Sequence, residues 1–337
     1  MRHIIIGGDG FVGHILAADL YAQGQSVIVA DIVKSAHEVY ARVPFVPIDV
    51  TKPETLAAIG LQADDMVYNL SAKMLSPIMP RAKRYDFFYP VNYFGTKHIL
   101  EWMEQAGAKR LVHYTTDMVY GHSVVTPQTE DHACAPLGHY GQSKLDTETL
   151  AATYRAKGFR ISIFRPRLII GPGRLGILEK LFKLIDLNLP VPMIGSGRNP
   201  YQFVSVFDCA SAAALAWKAG VPNEAYNLGS DTPPPVRELL RRLVREAGSR
   251  SLVVPTPGFL VKFTLNTLDF VNLPLMDPEQ YLIADEECLL DCSKAKRELG
   301  WAPKYRDDDM LIAAYKEYRA KKSAGRAHLA ASKPQTT

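Results

Sequence analysis

Residues 4–13 have the sequence Ile-Ile-Ile-Gly-Gly-Asp-Gly-Phe-Val-Gly, in which a short β-branched run leads directly into a glycine-rich turn. Gly7, Gly10 and Gly13 follow the spacing G-x-x-G-x-x-G, and Gly8 completes the overlapping pattern G-x-G-x-x-G. Glycine allows a tight turn, lets the backbone approach a ligand closely and brings a helix against a strand. A helical pattern follows, so its first amide groups are available to an anion. The segment predicts a strand, turn and helix that bind the pyrophosphate of a dinucleotide.

The rest of the first half alternates short β-branched runs with longer helical patterns, which is typical of βαβ units. The predicted strands cover residues 2–6, 26–31, 45–49, 66–70, 110–115 and 160–164. The predicted helices cover residues 12–23, 91–106, 140–157, 175–187 and 236–247. Because crossovers between parallel strands are right-handed, helices cover both faces of the sheet. The pattern predicts an α/β fold of the Rossmann type, a doubly wound parallel sheet with a smaller, irregular C-terminal substrate lobe.

Glycine and proline clusters become frequent after the sixth predicted strand. We therefore predict a dinucleotide-binding domain over residues 1–166, with residues 203–230 returning to it. Residues 167–202 and 231–320 are predicted to form the substrate-binding lobe, which covers the carboxyl edge of the sheet. Residues 321–337 contain lysine and arginine but no acid, and are predicted to be a disordered basic tail.

A carboxylate ends the second predicted strand. Asp31 follows Gly13 by 18 residues, where an acid can accept hydrogen bonds from the adenosine ribose. Its charge repels the additional phosphate of NADP, so the sequence predicts NAD as the cofactor. Asp49 and Val50, at the end of the third predicted strand, are candidates to hold the adenine. The alternative for either acid is an ordinary turn role.

A tyrosine and a lysine four residues apart form the candidate catalytic pair. On a helix, Tyr140 and Lys144 share a face. A free tyrosine has a pKa of about 10 and is a poor base at neutral pH, but a neighbouring cation favours its phenolate. Tyr140 could then act as general base or acid toward a substrate hydroxyl, and Lys144 could also hold the nicotinamide ribose. Alone, this spacing also occurs in surface helix pairs.

A threonine at the end of the fifth predicted strand is the third candidate catalytic residue. Thr116 would lie at the carboxyl edge of the sheet, where its hydroxyl could hold the reacting oxygen near Tyr140. A hydroxyl at a strand end otherwise caps the next helix. The glycine turn, the ribose acid, the threonine and the Tyr–Lys pair occur here in one order, which favours the catalytic interpretation.

Composition restricts the partners and the location. The chain has 337 residues, 47% hydrophobic and 22% charged, with a formal charge of +4, which gives no reason to expect nucleic-acid binding. The four cysteines contain no C-x-x-C pair, so neither a disulfide framework nor a metal site is expected. Residues 258–276 are apolar but interrupted by polar residues. We expect a cytoplasmic protein without stable membrane insertion.

The sequence resembles the extended short-chain dehydrogenase/reductase family, in its NAD-dependent epimerase/dehydratase group. The motifs that carry the resemblance lie at residues 7–13, 69–72, 91–96, 115–121, 140–144, 165–166, 202–208, 293–295 and 299–303. The resemblance implies that Asn92 supports the active-site helix. It further implies that several residues line the cofactor. They are Phe11, Val12, Leu70, Ser71, Ala72, Asn92, Tyr140, Lys144 and Pro166. Homodimers are common in the family, so a homodimer is expected.

The resemblance implies a nucleotide-diphosphate sugar as substrate and an epimerase cycle. In that cycle a sugar hydroxyl is transiently oxidised to a ketone, and hydride returns to the other face of the carbon, without net redox. The candidate substrate-binding residues are Lys73, Asp117, Arg174, Arg198 and Tyr201. The family places a phosphate-contacting arginine where Arg198 stands. For each candidate, an ordinary surface or turn role is the alternative.

Three other functions remain open. The apolar residues 259–276 could build the mouth of an apolar pocket, which favours an oxidoreductase like the 3-beta-hydroxysteroid dehydrogenases or a ketone reductase. A 4,6-dehydratase is disfavoured, because the family places Asp-Glu after the catalytic threonine and this chain has Asp117 and Met118. A non-catalytic NAD-binding protein is disfavoured by the intact Thr116, Tyr140 and Lys144 set.

Overall fold

The computed structural model describes the backbone of residues 1–173, 176 and 178–331, and the side chains of these residues as far as Ser323. The strands are β1 (His3–Ile6), β2 (Val27–Asp31), β3 (Phe45–Pro47), β4 (Met66–Asn69), β5 (Arg110–Tyr114), β6 (Arg160–Pro166), β7 (Leu168–Ile170), β8 (Val191–Ile194), β9 (Phe203–Ser205), β10 (Ala225–Leu228) and β11 (Val253–Thr256). The α-helices are α1 (Gly13–Ala22), α2 (Arg84–Tyr89), α3 (Gly95–Ala106), α4 (His139–Ala156), α5 (Leu178–Asp186), α6 (Val206–Lys218), α7 (Val236–Glu246), α8 (Gly258–Phe270), α9 (Pro278–Tyr281), α10 (Ser293–Leu299) and α11 (Asp307–Ala331).

The central sheet has seven parallel strands in the order β10-β6-β5-β4-β1-β2-β3. Successive residues of the buried strand β1 point to opposite faces. Ile5 packs in one core cluster with residues of α1 and α6, whereas Ile4 and Ile6 pack in a second cluster with residues of α3 and α4. A strand that is apolar on both faces requires helices on both faces. The predicted Rossmann-type, doubly wound fold is confirmed.

The residues beyond β6 build a second packed region. Two short parallel pairs, β7 with β9 and β8 with β11, lie outside the central sheet. A separate core cluster joins them to α5, α7 and α11, with Phe182, Leu243 and Tyr315 at its centre. Strand β10, within residues 203–230, pairs with β6 at the edge of the central sheet.

The first residues of the C-terminal segment belong to helix α11, and disorder of the segment stays a prediction. Helix α11 continues through Ala331, and residues 332–337 lie outside the described part of the chain. Two lysines of the segment pair with acids that lie outside it. Lys322 forms an ion pair with Asp186 at the end of α5, and Lys321 pairs with Glu317 one turn earlier, at 2.8 Å. Composition within the segment could not reveal these partners.

The helix expected over residues 91–106 has an irregular first turn. Residues Pro90–Phe94 form a π-helical turn that leads into α3. Pro90 cannot donate a backbone hydrogen bond, which weakens the regular helical ladder at this point. The side chain of Asn92 is used instead for contacts outside the helix, and Gly95 packs tightly on Val50. The irregular turn therefore coincides with a packed junction beside the predicted cofactor loop.

Candidate active site

A cavity of about 780 Å³ lies at the carboxyl ends of the central strands. The loops after β1, β4 and β5 contribute Gly7, Ser71 and Thr116 to its lining, and the second region contributes Tyr201 and Met276. The carboxyl ends of parallel strands meet at one edge of a sheet, and ligands of open α/β sheets bind there. The position of the cavity agrees with that rule.

The glycine turn is packed so closely that side chains would not fit. Gly7 has a φ of +74°, and a Cβ on it would lie 2.5 Å from the backbone nitrogen of Ser71. A Cβ on Gly13 would lie 2.6 Å from the carbonyl oxygen of Gly7. These contacts pack the start of α1 on the turn and the turn on the loop after β4. The turn therefore forms a main-chain cradle at the start of a helix, which suits a pyrophosphate.

Asp31 lies in the cavity lining at the end of β2. One of its oxygens accepts the backbone N–H of Asp9 at 3.0 Å, and the other accepts that of Ile32 at 2.7 Å. Burial raises the pKa of the Asp31 carboxyl above its ordinary value. Asp9 itself is held by the hydroxyl groups of Ser35 and Tyr40, each at 2.6 Å. The glycine turn and Asp31 thus form one connected structure.

Asp49 and Val50 follow β3 and also line the cavity. The Asp49 carboxylate accepts the hydroxyl of Thr51 at 2.6 Å and its backbone N–H at 2.9 Å. The hydroxyl bond is the main reason that the pKa of Asp49 is lowered. Asp49 is therefore both a turn residue and an ionised group facing the cavity.

Most residues predicted to hold the dinucleotide lie together along the cavity. Those in the lining are Gly7, Gly10, Phe11, Val12, Gly13, Asp31, Asp49, Val50, Leu70, Ser71, Ala72, Tyr140 and Pro166. Lys144 and Asn92 are not in the lining and are buried. The glycine cradle and the carboxylate beside it fit a dinucleotide that carries free ribose hydroxyls.

Lys144 lies on α4 with its ammonium buried. Its Nζ donates to the carbonyl oxygen of Tyr114, at the end of β5, at 3.0 Å. The residue is 2% exposed. Burial lowers the pKa of the ammonium to about 8, against a smaller effect of the Glu148 carboxylate in the opposite direction. A cation is thereby held directly behind the catalytic edge of the sheet.

Tyr140 lies one helical turn before Lys144 and lines the cavity. Its hydroxyl oxygen is 3.4 Å from the sulfur of Met74, and its ring centroid is 5.6 Å from that of Phe88. The side chain is almost fully buried. An aromatic and thioether environment fixes the ring while its hydroxyl borders the open space.

Thr116 and Asp117 line the cavity at the end of β5. The Thr116 hydroxyl accepts the backbone N–H of Met118 at 3.2 Å, so it caps the short 3-10 helix Asp117–Val119, and it donates to Asp117 at 3.2 Å. Asp117 is buried in an ion pair with Arg167. The capping alternative for Thr116 thus coexists with a position in the lining.

Asn92 joins the catalytic helix to the loop after β4. Its amide oxygen accepts the backbone N–H of Lys73 at 2.8 Å, and its amide nitrogen donates to the hydroxyl of Ser143 at 3.0 Å. Ser143 lies next to Lys144 on α4. The geometry is that of a group that positions α4 rather than one that contacts a cofactor.

A buried carboxylate that the sequence analysis missed caps α4. The two oxygens of Glu279, on α9, accept the backbone N–H groups of Tyr140 and Gly141, each at 2.8 Å. Burial raises the pKa of Glu279 to about 8, and the neighbouring Asp277 carboxylate contributes in the same direction. Glu279 is 1% exposed. No local sequence motif marks Glu279, because Tyr140, which it contacts, lies 139 residues earlier in the chain.

The predicted substrate residues are only partly brought together. Lys73 and Tyr201 line the cavity, and the guanidinium of Arg167 stacks 5.3 Å above the Tyr201 ring. Arg198 is exposed and does not belong to the lining. Its turn contacts Met193 and Arg237, since a Cβ on Gly197 would meet both. Arg174 lies outside the described residues.

Residues 3–229 match the NAD dependent epimerase/dehydratase family. The chain belongs to this family. The match covers the glycine turn, all the residues of the Tyr–Lys–Thr site and the return through β10. The chain is therefore an enzyme of the NAD-dependent epimerase/dehydratase type, with NAD as its cofactor, as the resemblance and Asp31 predicted.

Two curated relatives and one solved structure are similar to the chain over most of its length. It is 29% identical to the uncharacterised protein y4nG of Sinorhizobium fredii, over 95% of this chain and 79% of the relative. It is 24% identical to the human sterol-4-alpha-carboxylate 3-dehydrogenase, decarboxylating, over 94% of this chain and 88% of the relative. The crystal structure of a Thermotoga maritima UDP-glucose 4-epimerase with UDP-glucose covers 96% of this chain and 100% of its own, with 24% identity and a TM-score of 0.77. The similarity to this crystal structure concerns the fold alone.

In the part of the chain that the structure describes, helices are too short or too polar to cross a bilayer.

We expect Asp31→Asn to weaken the preference for NAD over NADP. The amide still accepts the N–H of Asp9, but the charge that repels a 2′-phosphate is gone. The ratio of the two dissociation constants, measured by fluorescence titration, should change by about tenfold or more, which corresponds to about 1.4 kcal/mol. Asp19→Asn, on the exposed side of α1, should leave the ratio unchanged. Equal weakening of both cofactors would contradict this assignment.

We expect Lys144→Met to stabilise the fold at pH 7. The pKa of Lys144 is about 8 in the folded chain and 10.5 as its ordinary value, so between these values only the unfolded chain holds the proton. The free energy of unfolding of the wild type should then rise with pH from about 8 to 10.5. The variant should lack this rise and be more stable at pH 7 by about 1–3 kcal/mol.

Denaturant unfolding at pH 7 and pH 9 measures this difference. Lys157→Met, at the exposed end of the same helix, is the matched control and should keep the wild-type pH dependence. A Lys144→Met variant that is less stable than the wild type at both pH values would show that burying the ammonium does not lower the free energy of unfolding.

We expect Glu279→Gln to lower kcat while leaving NAD affinity nearly unchanged. Glutamine offers one acceptor oxygen to two backbone N–H groups, so the first turn of α4 loses a hydrogen bond at Tyr140 or Gly141. The accompanying loss of stability should be about 1–3 kcal/mol. Steady-state kinetics and cofactor titration separate the two effects. Glu287→Gln, at an exposed position, should change neither. A purely structural role would reduce stability without changing kcat of the folded fraction.

Proposed function

We propose that this protein catalyses NAD-dependent oxidation of a secondary hydroxyl group on a large, mainly apolar substrate. The observation that carries the proposal is the surface around Tyr140. The cavity side chains that cluster with Tyr140 are Met74, Leu75, Phe87 and Met118, and Met276 adds a further apolar side chain to the lining. Such a surface favours a hydrocarbon skeleton over a sugar, whose hydroxyls need hydrogen-bonding partners.

The distribution of cations supports the same substrate class. Within the described lining, the basic side chains are Lys73 and Arg167. Arg167 is already neutralised by its buried pair with Asp117. Arg198, the expected phosphate ligand, is outside the lining. A diphosphate would therefore find Lys73 as its one unneutralised partner among these described residues.

The proposed chemistry uses the three predicted catalytic groups. NAD, when bound along the glycine cradle, supplies the acceptor for the hydride that leaves the substrate carbon. Tyr140 in its phenolate form takes the proton from the substrate hydroxyl and becomes a phenol as the carbon becomes a ketone. The ammonium of Lys144, one turn along α4, stabilises negative charge on the phenol oxygen. The Thr116 hydroxyl, which donates to Asp117 at 3.2 Å, donates to the substrate oxygen instead when the substrate binds.

One curated relative supports an apolar substrate. The human relative is a sterol-4-alpha-carboxylate 3-dehydrogenase, and the similarity extends over 94% of this chain. That enzyme acts on a sterol. We transfer to this chain the reaction class, the oxidation of a ring or chain alcohol, and not the sterol or the decarboxylation.

A nucleotide-sugar epimerase is the second candidate. Lys73 favours it, because it is a cation in the lining that could contact a phosphate. A Streptococcus mutans UDP-glucose 4-epimerase, 25% identical over 93% of this chain, also supports it. In that case Tyr140 would return the proton to the same oxygen after the ketone turns over. The homodimer and the cytoplasmic location stay predictions from the resemblance and composition.

The test is a substrate screen with the NAD-loaded full chain. Stoichiometric NADH with a 3β-hydroxysteroid or a long-chain secondary alcohol supports the dehydrogenase. Isomer formation from a UDP- or dTDP-sugar without net NADH would contradict it and support the epimerase. Retention of NAD without either reaction would contradict both.

On the active substrate, we expect Tyr140→Phe to lower turnover by orders of magnitude, because the general base is lost. NAD binding should be nearly unchanged, since the ring stays in place. Tyr305→Phe, at an exposed position, is the control. Unchanged turnover in Tyr140→Phe would refute the assigned role.

A further inference from the structure

Helix α8 and the turn that follows it expose an unusual run of large apolar side chains. Phe259 is 77% exposed, Phe263 71%, Phe270 73% and Leu273 65%. Single exposed apolar residues are common on soluble proteins. A contiguous set on one helix and its following turn is not, and it marks a surface that contacts something apolar. We call residues 258–276 the apolar helix–turn.

The charged groups of the apolar helix–turn point inward or are neutralised. Asp269 is 5% exposed and forms a buried ion pair with Arg84 on α2. Lys262 pairs with Asp285 at 2.5 Å. The outward face therefore carries phenylalanine, leucine and small polar side chains without an outward acid among these described residues. Moving a face of this kind from water to the hydrocarbon boundary of a bilayer costs little free energy.

Exposed cations flank this face. The backbone N–H of Ala82 donates to Asn272 at 3.4 Å, which brings the exposed Arg81 and Lys83 beside the apolar helix–turn. On another side, the ammonium of Lys180 donates to the carbonyl oxygen of Leu275 at 3.1 Å. Cations around an apolar face complement an anionic lipid surface. They oppose the packing of two copies of the same face, because the cations would meet.

The apolar helix–turn is continuous with the cavity. Met276, at its end, lines the cavity, and so do Gln280 and Ala284 just after it. Arg84 forms ion pairs with Asp269 and, at 3.3 Å, with Asp277, and these pairs fix the segment to α2. The exposed face is thus joined through Met276 to the lining of the active-site cavity.

We propose that the apolar helix–turn docks the protein on the surface of an anionic phospholipid bilayer. The phenylalanine and leucine side chains enter the headgroup–acyl boundary, and Arg81, Lys83 and Lys180 contact the anionic headgroups. The helix lies in the plane of the interface and does not cross the bilayer. The docking presents the cavity entrance to molecules dissolved in the lipid. This goes beyond the proposed reaction and does not require it.

Vesicle flotation with the full chain tests the proposal. The wild type should float with phosphatidylcholine/phosphatidylglycerol vesicles, more weakly with pure phosphatidylcholine, and less at high salt. Phe259→Ser/Phe263→Ser should lower the bound fraction by about tenfold or more, because two aromatic side chains that enter the bilayer on docking are lost. Both side chains are exposed, so folding should be unaffected. Val124→Ser/Val125→Ser, at two other exposed apolar residues, is the matched control and should float like the wild type.

Three results would overturn the proposal. The first is a wild type that does not float with anionic vesicles. The second is equal flotation of the phenylalanine variant and the control. The third is a dimer in sedimentation velocity that the phenylalanine variant dissociates, since a second copy would then cover the face. NAD titration of each variant checks the fold. Because flotation uses no substrate, a wrong substrate class would leave its result unchanged.

Discussion

A lysine ammonium buried at the edge of the sheet is the constraint on which the site depends. Lys144 is held by the carbonyl oxygen of Tyr114, the last residue of β5, and its pKa is lowered to about 8 by burial. A buried cation is costly unless it interacts with negative charge. Tyr140 lies one turn away on α4 and lines the cavity, and the proposed chemistry uses the cation to stabilise negative charge on its phenol oxygen. The fold keeps the cation in place, and the chemistry uses it.

The second region of the chain takes part in this arrangement. Glu279 reaches back from α9 to cap the first turn of α4, and Arg84 ties α2 to α8 and α9 through buried carboxylates. The segment that contributes Met276 and Gln280 to the cavity lining therefore also contributes Glu279, which caps the helix of Tyr140. The apolar helix–turn is attached to this network, so its outward face and the catalytic helix are parts of one packed assembly.

Local sequence patterns predicted those parts of the site whose structure depends on residues close together in the chain. The isoleucine run, the glycine turn and Asp31 act within one βαβ unit, and their placement along the cavity followed from spacing alone. Arg198 shows the limit, because whether a turn arginine enters a cavity depends on the packing of its turn. Glu279 could not be found, since its partners lie 139 residues away. The ion pair of Lys322 with Asp186, on another helix, could not be predicted from the composition of the C-terminal segment.

The central claim is that the Lys144 cation makes Tyr140 an effective base toward a hydroxyl on an apolar substrate. A single-turnover experiment tests it most directly: NAD-loaded enzyme is mixed with saturating 3β-hydroxysteroid, and NADH absorbance is followed for the wild type and Lys144→Met. The account predicts one equivalent of NADH in the wild type and a rate lower by orders of magnitude in the variant, with the cofactor still bound. Equal rates in the two proteins would contradict it.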